Sequence, residues 1–170
     1  MPASPFTFRP ATARDHPFLE QMLLEAAAAS GDILTPDTLA SQEHTFRYVA
    51  EWGRATDVGV IAVDELGVHA GAAWARLFDR AMGSPAFLGE QIPEITIAVA
   101  PDFRRRQLGT ALLTELADAA RAAGFLALSL GVETDNTAAQ QLYRRDGWAL
   151  HHTAGDYTIL SKDLRTPHSG

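Results

Sequence analysis

Between a strand-like run and a strongly helical one stands Arg104-Arg105-Arg106-Gln107-Leu108-Gly109-Thr110, a set of residues suited to holding an anion. The first N–H groups of a helix have no internal partner, the helix dipole adds partial positive charge, and glycine admits close backbone approach. A strand that runs through arginines into such a helix is therefore a sound cradle for a pyrophosphate. A solvated basic turn is the alternative reading, and the turn by itself leaves both open. Neither Gly-x-x-x-x-Gly-Lys-Ser/Thr nor Gly-x-Gly-x-x-Gly after the first strand occurs, which sets aside NTPase and dinucleotide-binding chemistry. The chain has no cysteine, which excludes disulfides, thiolate catalysis and cysteine-based zinc sites. His44, His69, His151 and His152 lack the spacing that lets one helix face hold zinc, so no metal is expected.

Other residues stand out by position. Trp74 and Arg76 share one face of a strand, where they can line an acceptor pocket, with core packing as the competing reading. Asn136 precedes a helical run and reads as its N-cap. Tyr143 sits within that helix, placed to pack with Leu142 and Trp148.

The elements that must position these residues follow from periodicity. Phe6 to Arg9 reads as a short strand, and a helix enters at Arg14 to Pro17 and ends near Ser30-Gly31. Thr35-Pro36 opens a second helix running to about Trp52 on an imperfect apolar face. Val58 to Asp64 and Val68 to Leu77 form a hairpin about Glu65-Leu66-Gly67. Phe78 to Pro93 is too broken by glycine and proline for a regular element and reads as a substrate-side loop. In the strand from Glu94 to Ala100, Ile95, Ile97 and Val99 lie on one face, and Glu94, Thr96 and Ala98 on the other. Leu108 to Ala123 is the clearest helix, stopped at Gly124. Ala127 to Val132 is a strand, Thr137 to Asp146 a helix, and Trp148–Thr153 and Tyr157–Lys162 two closing strands, with a frayed tail from Arg165. This order predicts one mixed α/β domain over residues 1–170, around a largely antiparallel sheet with a parallel strand–helix–strand unit at 94–132.

Two of these segments carry a resemblance. Glu94-Ile-Thr-Ile-Ala-Val-Ala-Pro-Asp-Phe-Arg-Arg-Arg-Gln-Leu-Gly-Thr-Ala-Leu-Leu resembles motif A of the GCN5-related N-acetyltransferase (GNAT) family, whose core is Gln/Arg-x-x-Gly-x-Gly/Ala. Arg104 and Gly109 match its ends, whereas Gln107 and Arg105 stand where the family commonly has glycine. A helical first turn does not need glycine's positive φ, so the cradle is expected to survive Gln107. Asn136-Thr-Ala-Ala-Gln-Gln-Leu-Tyr143-Arg-Arg-Asp-Gly147-Trp148 is similar to motif B of the same family.

The resemblance implies a GNAT-like sheet of about seven strands with a splayed central parallel pair, flanked by about four helices. It also implies an enzyme that moves an acetyl group from acetyl-CoA to a primary amine by direct attack on the thioester. The backbone of Ile97, Ala98 and Val99 would pair with the pantetheine arm. Arg104, Arg105, Arg106, Gln107, Leu108, Gly109 and Thr110 would hold the pyrophosphate, and Asn136 would contact the cofactor arm. Tyr143 would protonate the departing thiolate, and Glu94 would serve as base for an amine that is otherwise protonated near neutral pH. The acceptor is a small molecule or, alternatively, a peptide or protein amine. A binding module that holds acyl-CoA without chemistry is the reading of another class.

At 170 residues, 46% hydrophobic and 21% charged, the chain has enough apolar material for a packed core. A formal charge of −7 argues against a nucleic-acid partner. The opening residues lack the basic segment and apolar run of a signal peptide, and no stretch reaches membrane-span length, so a cytoplasmic monomer or homodimer is expected.

Overall fold

Valine, isoleucine and alanine dominate Val58–Val63 (β2) and His69–Arg76 (β3), and both strands are buried on both faces rather than alternating. That pattern needs a covering layer on each side of the sheet. A computed structural model describes residues 5–104 and 107–165 and shows both layers. Thr7–Pro10 (β1), β2, β3, Glu94–Val99 (β4), Ala127–Glu133 (β5), Ala149–Ala154 (β6) and Tyr157–Asp163 (β7) form one seven-stranded sheet in the order β1-β2-β3-β4-β5-β7-β6. All neighbours are antiparallel except β4 and β5.

One face is covered by Leu108–Ala122 (α4), whose stripe of Leu108, Leu112, Leu113, Leu116, Ala117 and Ala120 is buried against Ala73, Ala75, Leu128 and Leu130. Each of those leucines contributes about 1.5–3 kcal/mol of burial. The other face is covered by His16–Ala29 (α1), through Leu19, Met22 and Leu23, and by Leu39, Val49 and Trp52, all against Ile61, Ala72, Trp74 and Ala98. Thr137–Arg145 (α5) links β5 to β6. No helix among the described residues is long and apolar enough to cross a membrane.

The strand expectations hold to within a residue or two, but the helix expected from Thr35 to Trp52 does not form as one piece. Pro36–Leu39 (α2) and Glu43–Phe46 (α3) are single turns, separated at Gln42, and the chain continues in turns to Trp52. The reason lies in the sheet. Trp74 Nε1 donates to the Tyr48 carbonyl at 2.9 Å, and Arg76 donates to the carbonyls of Arg47 at 2.9 Å and Ala50 at 2.6 Å. These carbonyls accept from sheet side chains instead of from helical amides four residues on.

The parallel pair is bonded at one end only. Glu94 stands opposite Ser129, whose amide donates to the Pro93 carbonyl at 2.9 Å, and no further residues of β4 and β5 are in register. Beyond that point the strands part, leaving the β5-facing edge of Ile95 to Val99 without a ladder partner among the described residues.

Candidate active site

Where β4 and β5 separate, a cavity of about 410 Å³ opens, a size suited to a small ligand or part of a larger one. Ile95 to Ile97 and Leu130 to Glu133 form its floor. The end of α1, the segment from His44 to Tyr48, Ser84 to Ala86, and Asn136 with Tyr143 of α5 form its walls. A larger recess of about 590 Å³ between Gln91, Leu126 and Arg165 contains none of the residues singled out in the sequence.

Glu94 is 2% exposed, and its side chain is held by two hydroxyls. Tyr48 donates to Oε2 at 2.9 Å and Ser84 at 2.8 Å, while the Ser84 oxygen accepts from the Ala86 amide at 3.3 Å. Oε1 is buried without a hydrogen-bond partner among the described residues. Burial raises the Glu94 pKa above the ordinary carboxylate range, and the bonds from Ser84 and Tyr48 and the charge of Arg47 pull it partly back. The Tyr48 phenol is pushed up to about 12, by burial first and then by the Glu94 charge, so it remains a donor.

Tyr143 also lines the cavity, edge-on to Trp148 at 6.0 Å between ring centroids. Its hydroxyl has no hydrogen-bond partner among the described residues, and burial, aided by the charge of Glu133, pushes its pKa to about 12. Asn136 caps α5, its Oδ1 accepting from the Ala139 amide at 3.1 Å, and also borders the cavity.

The helix after β4 begins with no side-chain cap. A Cβ built on Gly109 would meet only Leu142 Cδ2, at 3.8 Å, among the described residues, so the backbone there is open to a neighbour. Gln107 contradicts the expectation that this turn needs no positive φ. It adopts the left-handed conformation, φ 59° and ψ 18°, at the residue immediately before α4. A non-glycine residue in that conformation costs roughly 1–2 kcal/mol. Gln107→Gly is therefore expected to gain about 0.5 kcal/mol once glycine's own entropic cost is subtracted. Urea denaturation checks this, and a loss of stability would show that the turn is unstrained.

Arg104 pairs with Glu25 of α1 at 2.8 Å and reaches the Val99 carbonyl at 3.4 Å. Arg105 and Arg106 lie outside the described residues.

Trp74 and Arg76 do not line the cavity. Both are fully buried, and Arg76 forms an ion pair with Asp57 at 2.8 Å between side chains 1% and 2% exposed. Their bonds to the carbonyls of residues 47, 48 and 50 hold the backbone that carries Arg47 and Tyr48 onto the cavity wall, so their contribution to the site is indirect. Conversely, Tyr48, Ser84 and Arg47 belong to the site, and no sequence signal pointed to them. Tyr48 read as part of an apolar helix face, and Ser84 as one small residue in a loop.

A mixed sheet parted between two parallel strands, with an uncapped helix following one of them, frames a cleft open to an anionic ligand. Residues 28–148 match the acetyltransferase (GNAT) family, and the chain belongs to it. No curated protein sequence matches it. Among solved structures it is similar to a GNAT superfamily phosphinothricin acetyltransferase from Sinorhizobium meliloti in complex with AcCoA, at 21% identity and TM-score 0.65, covering 98% of this chain and 95% of that one. It is also similar to a ribosomal-protein-alanine N-acetyltransferase from Brucella melitensis, at 21% identity and TM-score 0.66, covering 92% and 99%. A third is the paia N-acetyltransferase from Thermoplasma acidophilum in complex with coenzyme A, at 15% identity and TM-score 0.64, covering 93% and 98%. At these identities the likeness is one of fold.

Proposed function

We propose that this chain, working as one domain, transfers an acetyl group from acetyl-CoA to the primary amine of a small molecule. The observation that carries this reading is the cavity itself. It brings together Glu94, a buried carboxylate with one oxygen unpartnered among the described residues, and the phenol of Tyr143 as lining of one cavity at the gap between β4 and β5.

The residues present fit the donor. The uncapped start of α4, with the amides of Gln107 to Thr110 and the open backbone at Gly109, would hold the pyrophosphate beside Arg104, Arg105 and Arg106. The unladdered edge of Ile97, Ala98 and Val99 would pair with the pantetheine arm, Asn136 would border that arm, and a strand amide near Val99 would steady the oxyanion. Acetyl-CoA supplies an activated acetyl group and a thiol leaving group.

Glu94 acts on the amine. An alkyl ammonium has a pKa of about 10.4 and must lose a proton before it can attack, and a carboxylate made more basic by burial accepts that proton better than an ordinary one. Tyr48 and Ser84 occupy Oε2, which leaves Oε1 as the oxygen free to take a proton, directly or through a water.

Tyr143 serves the leaving group. Burial pushes its phenol to about 12, which keeps it protonated across the working range, so it can donate its proton to the departing thiolate as the carbon–sulfur bond breaks.

Release of free thiol from acetyl-CoA, measured across a panel of amines and peptides, tests the proposal. Tyr143→Phe is expected to lower kcat about 100-fold on the best acceptor, with CoA binding unchanged. A variant as fast as the parent would remove Tyr143 from the chemistry. A chain that binds CoA but releases no thiol with any amine would be a binding module.

A further inference from the structure

The two arginines packed against the cavity wall are satisfied very differently. Arg76 donates from Nε and from both terminal nitrogens to Asp57 and two carbonyls, as a structural arginine does. Arg47 lines the cavity, makes no ion pair among the described residues, and donates a single hydrogen bond, to the Met82 carbonyl at 2.5 Å. Its Nε is buried with no partner among the described residues. The guanidinium is held in place by the faces of Tyr48 and Phe78, at 5.6 and 5.8 Å from the ring centroids, and those two rings pack edge-on to each other at 5.1 Å. It is a fixed cation with most of its donor fork unused.

On the same cavity stands the opposite orphan, Glu94 Oε1. The two side chains do not neutralise each other by direct contact, since no ion pair joins them among the described residues, yet the Arg47 charge is felt at Glu94. An unpaired buried donor or acceptor costs roughly 1–3 kcal/mol. A cavity that leaves one of each charge unsatisfied is complementary to a ligand carrying both charges. The planar fork of arginine matches a carboxylate, and a bidentate, charge-assisted contact is the strongest it can make.

We infer that the acceptor is an amino acid, its amine directed to Glu94 and its carboxylate bound by Arg47. This rests on the acetyl-transfer reading above and narrows it. Asp32 and Glu133, also on the cavity wall, favour the ammonium end and leave Arg47 as the one permanently cationic side chain among the described lining residues. Arg47 is therefore the guanidinium that the described lining offers a carboxylate.

Matched pairs test the assignment. Each protein amino acid, with β-alanine and γ-aminobutyrate, is assayed for thiol release beside its primary carboxamide, which keeps the amine and loses the charge. The parent enzyme is expected to favour the acid of its best pair by about tenfold or more in kcat/KM, the size of one charge-assisted contact. Arg47→Gln is expected to reduce that preference to about twofold or less, and Arg47→Lys to retain part of it. Calorimetric titration of the same acid and carboxamide in the presence of CoA reads the contact without turnover. The acid is expected to bind more tightly to the parent and equally with its carboxamide to Arg47→Gln. A carboxamide used and bound as well as its acid by the parent overturns the inference, as does an Arg47→Gln variant that weakens both members of a pair equally. Thiol release with amines of every kind and no preference for a carboxylate overturns this inference alone. Discrimination in binding without thiol release from any amine overturns the transfer reaction and leaves the carboxylate site standing.

Discussion

Arg76→Met is expected to destabilise the protein by about 3–5 kcal/mol, the cost of removing one partner from a buried ion pair. Asp57 would be left as an uncompensated charge beneath the surface, and the carbonyls of Arg47 and Ala50 would lose their donors. Methionine fills similar volume, so the loss would report charge and hydrogen bonding more than a cavity. Replacing Asp57 by asparagine in the same chain is expected to recover only part of the stability, because the two carbonyls remain unsatisfied and the Gly53 and Arg54 amides also donate to Asp57. Activity is expected to fall further than unfolding explains, since the freed segment carries Tyr48 away from Glu94. Chemical denaturation measures the first effect and assays well below the transition the second. A loss under about 1 kcal/mol would mean that this pair behaves like an exposed one.

Glu94→Gln is expected to lower kcat/KM by about 100-fold or more, the range over which a positioned general base acts. In the parent, activity needs Glu94 ionised, so it falls as pH drops through the Glu94 pKa. Because burial raises that pKa, the decline begins at a higher pH than an ordinary carboxylate would give. Ser84 and Tyr48 donate to the ionised form, so Ser84→Ala and Tyr48→Phe should each move the acidic limb to still higher pH. A limb that stays in place in both variants would show that another group controls it.

Stability should move the opposite way from activity. A carboxyl whose folded pKa lies above its unfolded value contributes stability that is fully present below the unfolded pKa and is lost as pH rises through the folded one. Above that window the parent holds a buried charge that glutamine lacks. Glu94→Gln is thus expected to melt no lower than the parent at neutral pH, and a clear fall in Tm there would mean that the ionised carboxylate is well compensated in the fold.

Much of this molecule is written locally. Leucines spaced for one face specify α4, alternation specifies the faces of β4, and Asn136 before Thr137 specifies the start of α5; each depends on neighbours within a few residues. The two motifs that place the chain in its family lie on these same elements, which is why Glu94, Asn136 and Tyr143 stand out in the sequence and are found on one cavity. The left-handed Gln107 was not legible, because a non-glycine side chain gives no local signal for a positive φ.

The rest of the cavity lining was decided elsewhere. Tyr48 and Ser84 meet Glu94 from 46 and 10 residues away. Arg76, whose type and strand face suggested a ligand contact, instead spends its donors on Asp57 and on carbonyls up to 29 residues away. Sequence by itself determined the strands, the helix that follows β4 and the capped start of α5, since periodicity and capping are short-range properties. Only the tertiary structure decided which arginine is structural and which faces the cavity, because a buried polar group is assigned by the partners it finds, and those partners come from distant parts of the chain.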